Sequence, residues 1–168
     1  MARTTSKNAT MTLALLTAFA VMAMRFAMHL MGNTPEGMDF MFVHFMALVT
    51  VIFFTGLRLM RAHRPVGFPE LMRESFKNAA VYSILLGAFI WLFYTYIDTT
   101  SIRTRLDDLV IGFMRSGKTE EEVRPSLEQL VTPFNIATIS FFALLVVSAI
   151  LSLVLSAMQH KVFRRFMR

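Results

Sequence analysis

Residues 134–158 read FNIATISFFALLVVSAILSLVLSAM and contain no charged side chain. As an α-helix this stretch would extend about 37 Å at ~1.5 Å per residue, and the hydrocarbon core of a bilayer is about 30 Å thick. The run is apolar on all sides, whereas a surface helix of a soluble protein carries a polar stripe. The stretch therefore predicts a helix that crosses a membrane.

Three further apolar runs of similar length precede it, at about 9–31, 40–57 and 79–97. Pro69 at a helix start, followed by Leu71, Met72, Ser75 and Phe76, predicts an interfacial turn or two that runs into the third of these. Arg25 is the one formal charge inside the four runs, and they contain no Asp or Glu. The predicted fold class is all-α, an integral membrane four-helix bundle that forms a single domain over residues 1–168. Arg3 and Lys7 before the first run resemble a signal peptide, but the apolar run continues past Ala20, so we expect a retained helix.

The charge and the residue composition limit the classes of function that this chain can have. The chain carries a formal charge of +6, but its bases flank apolar runs and no soluble segment is long enough to present a patch, so we expect no nucleic acid partner. The absence of cysteine excludes disulfides, thiolate zinc sites and thiol nucleophiles. The lipid bilayer is the expected partner.

Basic residues beside the spans predict the orientation, because they favour the cytoplasmic side. The N-terminal tail, residues 58–78 and the tail after Met158 are rich in bases, whereas residues 32–39 and 98–133 carry more acids than bases. We therefore expect both termini in the cytoplasm. A basic collar would set the topology or bind lipid headgroups, and it comprises Arg58, Arg61, Arg64, Lys161, Arg164 and Arg165.

Small residues spaced by four predict where the helices pack, since membrane helices associate through close contact. Ser83 and Gly87 share one face of the third run, and Ser148, Ser152 and Ser156 share one face of the fourth. We expect both faces to be directed at protein and to pack against each other. The alternative is that each serine bonds the backbone carbonyl four residues earlier.

The loop before the fourth run is long enough to have structure of its own, an amphipathic segment at 101–131. Ser101 can cap a first helix that ends at Gly117. The apolar residues of that helix fall on one face and are Ile102, Leu106, Leu109, Val110 and Phe113.

A second helix of the loop begins at Thr119, where Thr119 and Glu122 form a capping box. Pro125 should kink or split it, and Thr132 and Pro133 suit the cap and first residue of the fourth span. We expect two short amphipathic helices on the outer membrane surface.

Several short motifs resemble those of one protein family. They are Gly67-Phe68-Pro69-Glu70 with Ser75-Phe76-Lys77, Tyr94-Thr95-Tyr96-Ile97-Asp98, Gly117-Lys118-Thr119-Glu120-Glu121-Glu122 and the serine-rich last span. In these features the chain resembles domain-of-unknown-function family 4199, small bacterial four-span membrane proteins. The resemblance covers most of the chain and implies topology and bacterial origin, hence the inner (cytoplasmic) membrane, without implying an activity.

One polar corner is predicted at the outer ends of the first two spans. Arg25 and His29 are four residues apart on one helix face, and His44 returns to a similar depth on the second span. The neighbouring methionines permit a copper site, and the three residues could form an anion or proton site with Asp39 or Asp98. The preferred interpretation is structural, with Met as apolar filler and Arg25 paired to an acid near the interface.

The sequence indicates no catalytic residue, cofactor or metal site. Glu120, Glu121 and Glu122 are consecutive, so their carboxylates would diverge around a helix. The leading hypothesis is a non-enzymatic accessory or scaffold component of a bacterial envelope assembly, with a membrane-protein partner or a second copy of itself. The alternative hypothesis is a small oligomeric transporter or channel for an ion or small solute, with copper handling as a remote variant.

Overall fold

The computed structural model describes residues 2–32, 38–62 and 66–163, with side chains for 10–32, 40–62 and 66–162. Six α-helices follow one another in this part of the chain, and a short π-helical segment extends each of α3 and α6. In chain order they are α1 (Ala2–Leu30), α2 (Met38–Ala62), α3 (Phe68–Leu92) with the π-helical Phe93–Ile97, α4 (Thr99–Arg115), α5 (Glu120–Leu130) and α6 (Pro133–Met158) with the π-helical Gln159–Phe163.

Four of these helices are long and apolar enough to cross a membrane, in the stretches Thr10–Leu30, Phe40–Ala62, Phe68–Ile97 and Pro133–Val162. The chain is therefore a multi-pass membrane protein of the all-α class, and the predicted four-helix architecture is confirmed. Large apolar side chains such as Phe19, Ile139 and Phe142 are more than half exposed, as expected where helices face lipid.

The third helix begins at Phe68, eleven residues before the apolar run at 79–97, which confirms the helical turns predicted from Pro69 into that run. Pro69 stands at its second position, where the missing N–H costs no helical hydrogen bond, and Leu71 N–H already bonds the Gly67 carbonyl at 3.1 Å. Glu74 and Asn78 thus lie on the spanning helix itself, where they are buried. The second helix likewise continues to Ala62, five residues beyond the predicted end.

The chain divides into two compact units, residues 1–86 with 143–168 and residues 87–142. In the first unit, α1 and α2 are neighbours, and Ala14 and Ala18 of α1 have no exposed surface. The fully buried apolar residues of its α2 and α3 segments are Leu48, Val51, Ile52, Leu71, Ala79, Tyr82 and Leu86. Separations of three, four and eight residues recur among them, as the helical period of a protein-facing stripe requires.

The second unit contains a hairpin of α4 and α5, which we call the α4–α5 hairpin. Val110, Val123 and Leu127 form its small core, with Leu106 packed against them. Asp98, not Ser101 as predicted, caps α4, and its carboxylate accepts the Ser101 N–H at 3.1 Å and the Ser101 hydroxyl at 2.7 Å. A carboxylate takes this role well because it also interacts favourably with the N-terminal end of the helix dipole.

The turn between the two helices contains Gly117 at φ +90°, a left-handed conformation that glycine adopts without steric cost. The predicted capping box is present at the start of α5, where Thr119 N–H donates to Glu122 Oε2 at 3.2 Å. Pro125 does not split α5. Val123 and Leu127, on either side of it, are both held in the hairpin core, and this packing offsets the hydrogen bond that proline removes.

One arginine connects the two helices of the hairpin on their exposed side. Arg124 donates to Glu120 Oε1 at 2.7 Å along α5 and to Asp107 Oδ1 at 3.0 Å on α4. The hydrogen bond to Glu120, together with that to Asp107, raises the pKa of Arg124 above its ordinary value. The predicted start of α6 is confirmed, because Asn135 N–H donates to the Thr132 hydroxyl at 3.1 Å, one turn into the helix.

Candidate functional site

The polar corner predicted from the sequence brings Arg25 and His44 together through an aromatic ring. Arg25 is 8% exposed, and its guanidinium carbon lies 4.7 Å from the centre of the Phe40 ring. The Phe40 and His44 rings are nearly perpendicular, at 86°, with their centroids 4.8 Å apart. The cation is therefore held against an aromatic face inside the first unit, an interaction that strengthens when water is excluded.

His44 also makes a direct polar contact with the third helix. Its Nδ1 lies 3.0 Å from the hydroxyl of Tyr82, a residue with no exposed surface near the midpoint of the Phe68–Ile97 span. Either group can donate, depending on the imidazole tautomer. This pair can bond, orient or pass a single proton between α2 and α3.

Of the other residues predicted for the corner, His29 is partly buried on α1, and the side chain of Asp39 lies outside the described residues. Asp98 belongs to the second unit, where it caps α4. Met24, Met41 and Met46 are each at least 37% exposed, and the described residues hold no group of three His, Cys, Asp or Glu side chains suited to a metal.

A second set of polar contacts joins α2 and α3 nearer the start of α3. Asn78 Nδ2 donates to the Thr55 hydroxyl at 3.3 Å, and the Ser75 hydroxyl approaches the Ile52 carbonyl at 3.5 Å. Hydropathy does not predict these residues, because it places the start of the span after them. The signal was present in the spacing of the buried side of α3, whose members are Leu71, Ser75, Asn78, Tyr82 and Leu86.

Glu74 is a buried carboxylate on a spanning helix, in the turns that precede the apolar run predicted at 79–97. Its side chain is 7% exposed and lies 3.5 Å from the guanidinium of Arg73, which is itself 78% exposed. The residue lies about 9 Å along α3 from Phe68, at ~1.5 Å rise per residue. An ionisable group in a membrane span is a candidate for function because burying it is costly.

The three serines predicted on α6 face protein. Ser148, Ser152 and Ser156 have no exposed surface, and in the described part of the chain their hydroxyl oxygens make no hydrogen bond. Ser83 on α3 behaves differently, because its hydroxyl donates to the Ala79 carbonyl four residues earlier at 2.9 Å. Close packing thus accounts for the three α6 serines, and the local backbone bond accounts for Ser83.

Gly87 is also in the protein interior, and it lies against α6. A Cβ at this position would be 3.2 Å from the Cβ of Phe141, closer than nearly all real contacts of this kind. The side chain that Gly87 meets is therefore a phenylalanine and not one of the predicted serines. The absence of a side chain lets the two helices approach closely at this level of the second unit.

Gln159 forms an interhelical contact that no sequence motif indicates. Its side chain has no exposed surface, and Nε2 donates to the Phe53 carbonyl of α2 at 2.8 Å. The carboxamide occupies the space beside Gly56 where any Cβ would overlap Gln159 Oε1. Gln159 is also the first residue of the π-helical segment that follows α6, a local widening often found where a side chain has a special role.

The predicted basic collar is described in part. Arg58 and Arg61 near the end of α2 and Lys161 after α6 are at least partly exposed, as headgroup contacts require. Arg64, Arg164 and Arg165 lie outside the described residues. Near Lys161, the His160 ring meets Phe68 at a centroid distance of 6.3 Å, so the end of α6 adjoins the start of α3.

Comparison of the chain with family models, with curated proteins and with solved structures finds no match. The resemblance to domain-of-unknown-function family 4199 accordingly stays a prediction. The residues themselves define the chain as a four-helix membrane protein with a polar interior between α2, α3 and α6.

Proposed function

We propose that this chain is a non-enzymatic accessory or scaffold component of a bacterial envelope assembly, inserted in the inner membrane with both termini in the cytoplasm. The observation that carries the proposal is the α4–α5 hairpin, a preformed module with its own core and its own ion pairs. Because four spans place both termini on one side, this hairpin lies on the opposite side of the membrane. Its core and the Arg124 ion pairs hold its two helices together as a contact surface.

The chemistry of α5 favours a basic partner surface. Its exposed side presents the carboxylates of Glu120, Glu121 and Glu128 around Arg124. A rigid docking surface loses little conformational entropy on binding, and complementary charge speeds the encounter. The partner would be another membrane protein or a second copy of this chain.

Site-specific photo-crosslinking in native membranes tests this proposal. A photoreactive amino acid at Glu121 should yield a reproducible adduct that mass spectrometry identifies. The matched control carries the same probe at Ile139, which is 68% exposed on α6. Adducts of equal yield and identity at both positions, or none at Glu121, would contradict a docking role for α5. Cysteine labelling from the two sides of the membrane tests the orientation separately.

A second candidate function is a small oligomeric transporter or channel for an ion or small solute, and the polar interior of the first unit favours it. Gln159 bonds Phe53, and spans two and four run in the same direction, so Ser148 lies at about the depth of His44. Four buried polar atoms between the depths of His44 and Phe53 make no hydrogen bond within the described residues. They are the hydroxyl oxygens of Ser148, Ser152 and Ser156 and Gln159 Oε1. Buried polar atoms of this kind accommodate water or a polar solute.

Proteoliposome flux measurements test the second candidate. A proton-sensitive or potassium-sensitive dye inside the vesicles should report a flux that Ser152→Leu abolishes and Ser152→Ala leaves in place. Flux equal to that of protein-free vesicles for every ion tried would contradict it. The copper variant of this hypothesis requires stoichiometric binding in a Cu(I) titration of the purified protein.

A further inference from the structure

The α4 helix carries more apolar surface than α5 covers. Leu106 and Val110 are directed at the hairpin core, whereas Leu109 and Phe113 are each 38% exposed. Ile102, Leu109 and Phe113 are spaced by seven and four residues, so they share one side of the helix. We call these three residues the α4 stripe. The α4 stripe lies next to the side of α4 that α5 covers. The helix therefore presents apolar side chains in two directions, one toward α5 and one away from it.

The charges of the hairpin are divided between its helices. From Thr99 to Arg115, α4 contains three arginines and two aspartates, a net charge of +1, and Lys118 in the turn adds another base. From Glu120 to Leu130, α5 contains four glutamates and one arginine, a net charge of −3. A basic helix with an exposed apolar stripe suits an anionic lipid surface, and an acidic helix suits water.

The α4 stripe also follows directly on the end of the third spanning helix. Asp98 alone separates the π-helical Phe93–Ile97 from α4, and it caps α4 at that point. Trp91 and Tyr96 at the end of the span are 43% and 73% exposed, and such rings favour the headgroup region. The first turn of α4 therefore starts at the membrane surface, close in sequence to Leu92 and Ile97, which are 46% and 42% exposed.

The far end of the stripe carries a cation as well. Lys118 Nζ lies over the Phe113 ring, 5.2 Å from its centre. This cation–π contact holds a positive charge beside the apolar stripe, where anionic headgroups would meet it.

From these observations we propose that α4 lies in the interface of the membrane that the chain spans, with Ile102, Leu109 and Phe113 inserted at the boundary between headgroups and acyl chains. The α5 helix then lies on the aqueous side and covers α4 from above. The occupant of the stripe is lipid, not a second protein. This inference is independent of the proposed scaffold role, because it concerns α4 and leaves the acidic side of α5 accessible in either case.

Spin labelling provides the test, and the natural absence of cysteine makes it direct. Single-cysteine variants Leu109→Cys and Phe113→Cys carry a nitroxide in vesicles of phosphatidylcholine and phosphatidylglycerol. Asp108→Cys on another side of α4 and Glu121→Cys on α5 are the matched controls, since all four positions are at least 38% exposed or classed as exposed. Far-ultraviolet circular dichroism and elution volume establish that each labelled protein remains folded.

The reagents are oxygen, which concentrates in lipid, and a water-soluble nickel chelate. We expect the ratio of collision rates, oxygen over nickel, to be at least several-fold higher at 109 and 113 than at 108 and 121. Equal ratios at all four positions would overturn the proposal, because the stripe would then face water. Labels at 109 and 113 that are immobile and shielded from both reagents would also overturn it, since a second copy of the chain would then cover the stripe.

Discussion

Replacing Gly56 with alanine puts a methyl group into the space that the Gln159 carboxamide occupies. The added Cβ would overlap Gln159 Oε1, so the amide must leave its position and give up its 2.8 Å hydrogen bond to the Phe53 carbonyl. Gln159 is completely buried, so the displaced amide has to be accommodated inside the protein. The substitution should therefore act through one identifiable contact.

The expected free-energy cost has three parts. An interhelical hydrogen bond in a membrane protein is worth about 0.6 kcal/mol on average and up to roughly 1.7. Overpacking a tight interior adds about 1–3 kcal/mol, whereas replacing glycine by alanine within a helix returns about 1 kcal/mol. We expect Gly56→Ala to lower the free energy of unfolding by about 2 kcal/mol, with an uncertainty of about 1 in either direction.

A double-mutant cycle with Gln159→Ala isolates the contact. Once the carboxamide is absent, Gly56→Ala meets no overlap and should be neutral or slightly stabilising, which gives a coupling free energy of at least about 1 kcal/mol. Reversible unfolding in mixed detergent and dodecyl sulfate micelles, followed by circular dichroism, measures all four proteins. Gly112→Ala is the matched control, because a Cβ there has nothing within 4 Å and should not destabilise the protein.

One result of the double-mutant cycle would contradict this prediction. If Gly56→Ala costs the same free energy with and without the Gln159 side chain, the glycine is not required by the carboxamide. The Gln159–Phe53 hydrogen bond would then make no measurable contribution to the packing of α6 on α2.

Three further predictions concern other contacts between the spanning helices. Gly87→Leu should lower the thermal midpoint in detergent, because the first side-chain carbon at position 87 would lie only 3.2 Å from Phe141 Cβ. Adding Phe141→Ala should restore part of the lost midpoint. An unchanged midpoint for Gly87→Leu would contradict close packing at this position. His44→Phe and Tyr82→Phe should each lower the free energy of unfolding by about 1 kcal/mol. The double variant should lose little more than either single variant, because both substitutions remove the same hydrogen bond. Additive losses would show that the two groups act separately. Ser152→Ala should leave the free energy of unfolding unchanged or raise it slightly in the same assay, because the Ser152 hydroxyl makes no hydrogen bond within the described residues. Ser152→Leu should lower it by about 1–3 kcal/mol, because the site is fully buried. A loss with alanine as large as with leucine would show that the hydroxyl is needed.

Much of the architecture could be predicted because it depends on local properties of the chain. An uninterrupted apolar run such as that of α6 must satisfy its backbone hydrogen bonds internally, and a helix does so at any orientation. The turn at Gly117, the capping box at Thr119 and the start of α6 at Pro133 are likewise set by neighbouring residues, and the structure has all three. Hydropathy alone marks only the apolar run from residue 79, whereas the helix start predicted at Pro69 agrees with an α3 that continues through Glu74 and Asn78 into that run.

The four spanning helices, the serine stripe of α6 and the two short helices of the last loop follow from periodicity or from turn chemistry, so they can be predicted from the sequence. The packing of α4 on α5 and the meeting of polar groups, such as His44 with Tyr82 and Gln159 with Phe53 across Gly56, depend on the tertiary structure. The physical reason is the rotation of each helix about its axis. A run that is apolar on every side carries no moment to indicate its inward face, so packing against the other helices sets that rotation.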